Sequence, residues 1–156
     1  PHIDGAQYCR LAFDPRGAGE LEAFQREHAP ARTLDELIDA ALRDASPASA
    51  PNEPDALERG RVRAILDRIA AAQRELLHAI LPAGKAVRAV AVTGGGARSA
   101  AWLAHTARAL GVSVIASTAA ERACLGAAIF AAGAAKIHPS LAAAARAMVR
   151  DAGNRL

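Results

Sequence analysis

The stretch AVRAVAVTGGGARSAAWLAHTARAL, Ala86 to Leu110, passes from an apolar run through three successive glycines into a helical pattern. The apolar run holds Val87, Val90 and Val92, and from Val90 to Val92 the valines alternate with alanine rather than with charges, a composition that predicts a short strand buried on both faces. Gly94, Gly95 and Gly96 follow, and then Trp102, Leu103 and Leu110 recur at helical spacing. Strand, glycine turn and helix start, in that order, suit an anion. Backbone N–H groups at a helix N-terminus point outward at a ligand, and the helix dipole adds roughly half a positive charge there. Glycines serve such a turn because a Cβ would block close approach, and because φ > 0 is open to them.

Outward from this stretch the chain punctuates itself. Gly111 suits the position just after a helix, and Val112 to Ala116 predicts a second short buried strand. Thr118-Ala119-Ala120-Glu121 is a capping box that opens a helix running to about Ala134, and Cys124 within it is expected to be a buried small hydrophobe. Ser140 is expected to cap a last helix reaching about Asp151. Upstream, Val62, Ile65, Leu66, Ile69, Leu76, Leu77 and Ile80 follow helical spacing from Asp55 to Leu81, with arginines on the solvated side. Pro82 and Gly84 stop this helix. Ser46 to Pro54 (SPASAPNEP) is a proline-rich linker. Before it, Thr33-Leu34-Asp35-Glu36 is a second capping box for a helix to about Leu42, and Glu20 to His28 is a short helix ended by Pro30. Gln7 to Phe13 is a candidate strand ahead of the turn Asp14-Pro15-Arg16-Gly17. Two units are expected: 1–54, irregular with short helices and the linker, and 55–156, the part that carries the glycine turn.

Composition narrows the function classes. At 156 residues, 52% apolar and 22% charged, the chain can bury one core and is not of disordered type. Aromatics make up only 3%, so close, alanine-rich helix packing is expected. The net charge of +3 and pI of 9.4 come from arginines spread along the chain, which argues against nucleic acid as a partner. Ala123 to Ala135, the most apolar run, is shorter than the ~20 residues a bilayer span needs, so it is expected to be a core helix and no membrane partner is expected. Cys9 and Cys124 lack CxxC spacing, and a reduced, cytoplasmic setting is expected. His2, His28, His78, His105 and His138 have no metal-ligand spacing, and no site residue is assigned to a metal. The chain begins at Pro1 rather than Met, as expected of a fragment, a processed chain or part of something longer.

Four pieces in order carry a resemblance: Thr93-Gly94-Gly95-Gly96-Ala97-Arg98-Ser99, Trp102-Leu103, Leu110-Gly111-Val112-Ser113-Val114, and Glu121-Arg122-Ala123-Cys124-Leu125-Gly126-Ala127-Ala128. Together, over roughly residues 86–149, they resemble the C-terminal lobe of FGGY-type carbohydrate kinases. Ala12-Phe13-Asp14-Pro15 and the helices after it resemble, more faintly, the rhamnulose and fuculose kinases of that family. The resemblance implies an α/β fold, part of a ribonuclease-H-like (actin-like ATPase) lobe with short buried strands and packed helices. It also implies an ATP-dependent kinase for a sugar or polyol hydroxyl, with Mg²⁺ bridging the phosphates. Carried over, the glycines Gly94, Gly95 and Gly96 approach the ADP moiety and Ser99 lies near the adenine; many relatives have Asn at that position. The sugar pocket, the first phosphate loop and the catalytic Asp belong to regions with no match here. Asp14 and Asp4 have the wrong surroundings for that Asp, so no catalytic residue is assigned and these 156 residues alone are expected to be inactive.

Two other readings compete. One is a non-catalytic nucleotide-binding or regulatory remnant of a sugar kinase. The other, a dinucleotide binder, fails the G-x-G-x-x-G pattern, because Ser99 stands where the third glycine belongs and no acidic residue falls about 20 residues on. Arg98 either pairs with phosphate or is an exposed first-turn arginine, and Trp102 is expected to pack. Homo-oligomerisation stays open.

Overall fold

The computed structural model describes residues 10–15, 17–43, 54–116, 122–149 and 154–155. The long helix α3, Pro54–Ile80, is the spine. Its inward stripe of Val62, Ile65, Leu66 and Ala70 is buried at i, i+3, i+4 spacing, as the sequence periodicity requires. Helices α1, Gly19–His28, and α2, Leu34–Leu42, lie against it and contribute Leu21, Phe24, Leu37, Ile38, Ala41 and Leu42 to the same core. That core therefore crosses the division expected at residue 54. Two ion pairs tie the surface of the helices together, Arg68 with Glu20 and Arg32 with Glu58.

The capping box at Thr33 forms as the sequence predicts. The Thr33 hydroxyl accepts from the Glu36 N–H at 3.2 Å, and the Glu36 carboxylate accepts from the Thr33 N–H at 2.7 Å. These bonds favour the ionised acid and hold the Glu36 pKa below the ordinary value. The second capping box, Thr118 to Glu121, lies outside the described residues, as does most of the linker.

After α3 the chain enters strand β1, Ala89–Val92, crosses through helix α4, Ala100–Leu110, and returns as strand β2, Ser113–Ala116. The two strands pair in parallel, Ala89 with Ser113 through Val92 with Ala116. A strand–helix–strand crossover of this kind defines an α/β unit. Gly111 ends α4 in the left-handed conformation at φ 67°, as its position implies. A third, two-residue strand β3, Asn154–Arg155, pairs antiparallel with β2, giving the order β1-β2-β3.

Four expectations need correction. The strands are not buried on both faces. Val114 is fully enclosed, but Ala89 and Ala91 are exposed and Val90 and Val92 only half-buried. The register puts Val90, Val92 and Val114 on one face, toward α3 and α4, while Ala89, Ala91 and Ser113 on the other face are exposed. Secondly, residues 10–13 form no strand, and Leu11 and Phe13 stand in solvent at 94% and 80% exposure; positions 7–9 lie outside the described residues. Thirdly, helix α5, Arg122–Ala134, is not a core helix, and Cys124 is exposed. Its best-packed neighbour is helix α6, Leu141–Met148, whose Leu141 lies directly over Gly133; the remainder of α5 leaves Phe130 44% exposed. Finally, α6 stops at Met148, short of Asp151. Its start agrees with expectation, since the Ser140 hydroxyl accepts from the Ala143 N–H.

Candidate nucleotide site at the glycine turn

Between β1 and α4 the three glycines do different work. Gly94 has φ 80° and ψ −158°, a region closed to residues with a Cβ, and it redirects the chain out of the sheet. Gly95 begins a single 3₁₀ turn, Gly95–Arg98, closed by the Ala97 N–H donating to the Gly94 carbonyl at 3.1 Å. A Cβ on Gly95 would meet nothing nearer than Arg98 Nη2 at 4.0 Å, so this glycine faces open space under the edge of a guanidinium. Gly96 is tight instead. A Cβ there would stand 3.2 Å from Trp102 Nε1 and 3.3 Å from Cδ1, so the indole edge seats the turn.

Ser99 joins the turn to α4. Its hydroxyl accepts from the Trp102 N–H at 3.1 Å, as an N-cap, and faces Asp39 Oδ1 at 3.5 Å. The residue is buried at 6% exposure. Its role within the fold is therefore to start the helix and to link the turn to α2.

Beneath the turn lies a cluster that the sequence reading did not assemble. His105, one helical turn beyond Trp102, is buried and stacks on the indole, with ring centroids 5.7 Å apart and planes inclined by 30°. Its Nε2 stands 3.1 Å from Asp67 Oδ1 on α3, yet makes no aligned hydrogen bond. Burial lowers the His105 pKa below the ordinary value of 6.5; Asp67 opposes that shift, while Arg63 and Arg108 add to it. The signal was present in the spacing, since Trp102, His105 and Thr106 fall at i, i+3, i+4 on one helix face. Its partner Asp67 is 38 positions upstream and could not be found without the packing.

Next to this cluster an apolar groove of about 270 Å³ runs between α3 and β1, lined by Leu76, Leu77, Ile80, Val90, Val92 and Leu110. Among the described residues no group of three His, Cys, Asp or Glu lies together as metal ligands would, and no helix is long and apolar enough to cross a membrane. The only charged side chain on the turn itself is Arg98.

The site is therefore an α/β unit whose first strand runs through a glycine-only bend into a capped helix. The model of the C-terminal domain of the FGGY family of carbohydrate kinases matches residues 12–135, and the chain belongs to that family. The match takes in α1 to α3 as well as the glycine turn. No curated protein and no solved structure matches the chain.

Proposed function

We propose that this chain supplies the nucleotide-binding part of an enzyme that phosphorylates a sugar or polyol hydroxyl with ATP, within a ribonuclease-H-like lobe. The observation that carries the reading is Gly95, which stands open and uncovered between a glycine-only bend and a capped helix in a chain of a carbohydrate kinase family. The N–H groups at the start of a helical turn lack partners within it and are free to meet phosphate oxygens. Arg98, with its guanidinium beside Gly95, adds a formal positive charge at the same place.

The residues of the turn fit a phosphate and not a bare metal ion, because the turn offers amides and a guanidinium but no carboxylate. Mg²⁺ would therefore arrive with the nucleotide and neutralise its phosphates when bound. Phosphoryl transfer needs two substrates held in line, together with an acceptor for the hydroxyl proton. The amides and Arg98 hold one substrate only, so sugar positioning and proton removal fall to other parts of the protein. Ser99 supports the turn through its cap, and on this reading the adenine lies near it.

Calorimetric titration with ADP–Mg²⁺, set against NAD, tests the reading. ADP–Mg²⁺ is expected to bind and NAD not; tight NAD binding without ADP binding overturns it. The variant Gly95→Val localises the site. Its side chain meets only the end of Arg98, so the domain should keep its helix content and its melting temperature while ADP affinity is lost. Unchanged ADP affinity in a folded Gly95→Val protein would count against the site.

A further inference from the structure

We propose that His105 and Asp67 form a positioning pair for the glycine turn, holding the Trp102 indole against Gly96 so that the turn keeps the shape in which it receives nucleotide. This rests on the nucleotide reading of the turn and goes beyond it, because neither residue touches the turn. The connection is continuous. Asp67 on the exposed side of α3 stands 3.1 Å from His105 Nε2, the imidazole stacks on Trp102, and the indole edge is the nearest neighbour a Gly96 side chain would have. The contacts run from α3, through α4, to the 3₁₀ turn.

His105 is an unusual choice for this position. It is 8% exposed on a face otherwise made of Trp102, Leu103 and Thr106, and a buried imidazole nitrogen without an aligned partner is unfavourable. An aliphatic side chain would fill the space without that penalty. What the imidazole adds is a planar ring that can stack on indole at one face and answer Asp67 at its edge. Other charged groups around it are few. α3 supplies Asp67 and Arg63, and α4 itself supplies Arg108. On α2 the acid nearest this end of α4 is Asp39, which meets Ser99, while the 3₁₀ turn carries Arg98 over Gly95 and β2 has no titratable side chain. Protonation sets a full charge 3.1 Å from a carboxylate, and the imidazolium turns to align its Nε2–H with Asp67 at the expense of its stack on Trp102. The indole then loses its backing, and the turn loosens at Gly96.

Trp102 is the only tryptophan of the chain, so its fluorescence reports this one contact. Without nucleotide, emission is expected to change with an inflection below pH 6.5 in the wild-type chain, and His105→Gln should remove that inflection. Asp67→Asn alters a side chain that is 55% exposed and leaves the core intact, and it should move the inflection to lower pH by withdrawing the attraction for the imidazolium. ADP–Mg²⁺ affinity, measured at pH 7.5 and 5.5, is expected to fall about fivefold more on acidification in the wild type than in His105→Gln, a coupling at the low end of what linked sites show. Titration of the nucleotide's own phosphate is common to all three proteins and cancels in that comparison. If the inflection persists in His105→Gln, or stays in place in Asp67→Asn, the pair is overturned. Equal ADP affinities and pH dependences in wild type and His105→Gln overturn the positioning role alone, leaving the nucleotide site standing. Absence of ADP binding in the wild type at pH 7.5 overturns the nucleotide reading and this role with it.

Discussion

Gly94 takes φ 80° and ψ −158°, a conformation almost confined to glycine. Gly94→Ala is therefore expected to destabilise the domain by about 1–3 kcal/mol through backbone strain, although nothing lies within 4 Å of the added methyl. Gly95→Val should cost much less and yet remove nucleotide binding. Comparing the two melting temperatures with the two ADP affinities checks both statements. The triplet was legible in the sequence as the turn between a strand and a helix, but the division of labour within it was not, because φ and the proximity of Trp102 are properties of the folded chain. His105 contributes a pH dependence to stability. Its folded pKa lies below the ordinary 6.5, so the unfolded chain takes up the proton first. Stability is then fully present above about pH 6.5 and is lost as pH falls from there toward the folded value. Glu36, whose pKa is also lowered, extends the loss below its ordinary 4.5. Denaturant midpoints between pH 7.5 and 5 should fall for wild type and stay flatter for His105→Gln.

Among the elements, ends were read more surely than surroundings. The capping box at Thr33, the Ser140 cap and the Gly111 stop all occur where short-range chemistry puts them, because each needs only neighbours three or four residues away. Ser99 belongs with them. Ser99→Ala removes the acceptor of the Trp102 N–H and should cost about 0.5–2 kcal/mol, seen as a lower denaturant midpoint; a wild-type midpoint would mean that the cap does not hold α4. α5 shows the opposite case. Its uniformly apolar sequence predicts burial, yet Cys124 and Phe130 face out, since burial depends on what lies opposite. No glycine closes α5, and Lys136 takes the left-handed conformation at φ 55°, with its N–H donating to the Gly133 carbonyl at 3.1 Å. For an L-residue that conformation costs roughly 1–2 kcal/mol. Lys136→Gly should relieve part of it and raise the melting temperature, whereas Lys136→Val should lower it.

For the molecule as a whole, α1 to α4 share one core, from Leu21 through Leu66 to Trp102, and the glycine turn sits at its rim. That layout explains how the family match can begin at residue 12, well before the motifs that carry the resemblance. The upstream helices hold α3, and α3 holds α4 and its turn. The sheet was legible only in its parallel pair, because β1 and β2 are short, mostly apolar runs beside glycine turns, whereas β3 is two polar residues that pair with β2. No carboxylate was assigned to take a hydroxyl proton, and the turn proposed to receive nucleotide offers groups for one substrate only. A separation of binding from turnover follows. The 156-residue chain is expected to bind ADP–Mg²⁺ and to transfer no phosphoryl group to any member of a sugar and polyol panel, in an assay coupled to ADP release. A longer product of the same gene that carries the sugar pocket should phosphorylate one member of that panel, and Gly95→Val should abolish that turnover while sparing sugar binding. Full activity from the Gly95→Val enzyme would remove the turn from the reaction, and sugar phosphorylation by the 156 residues alone would mean that a base and a second binding site lie within them.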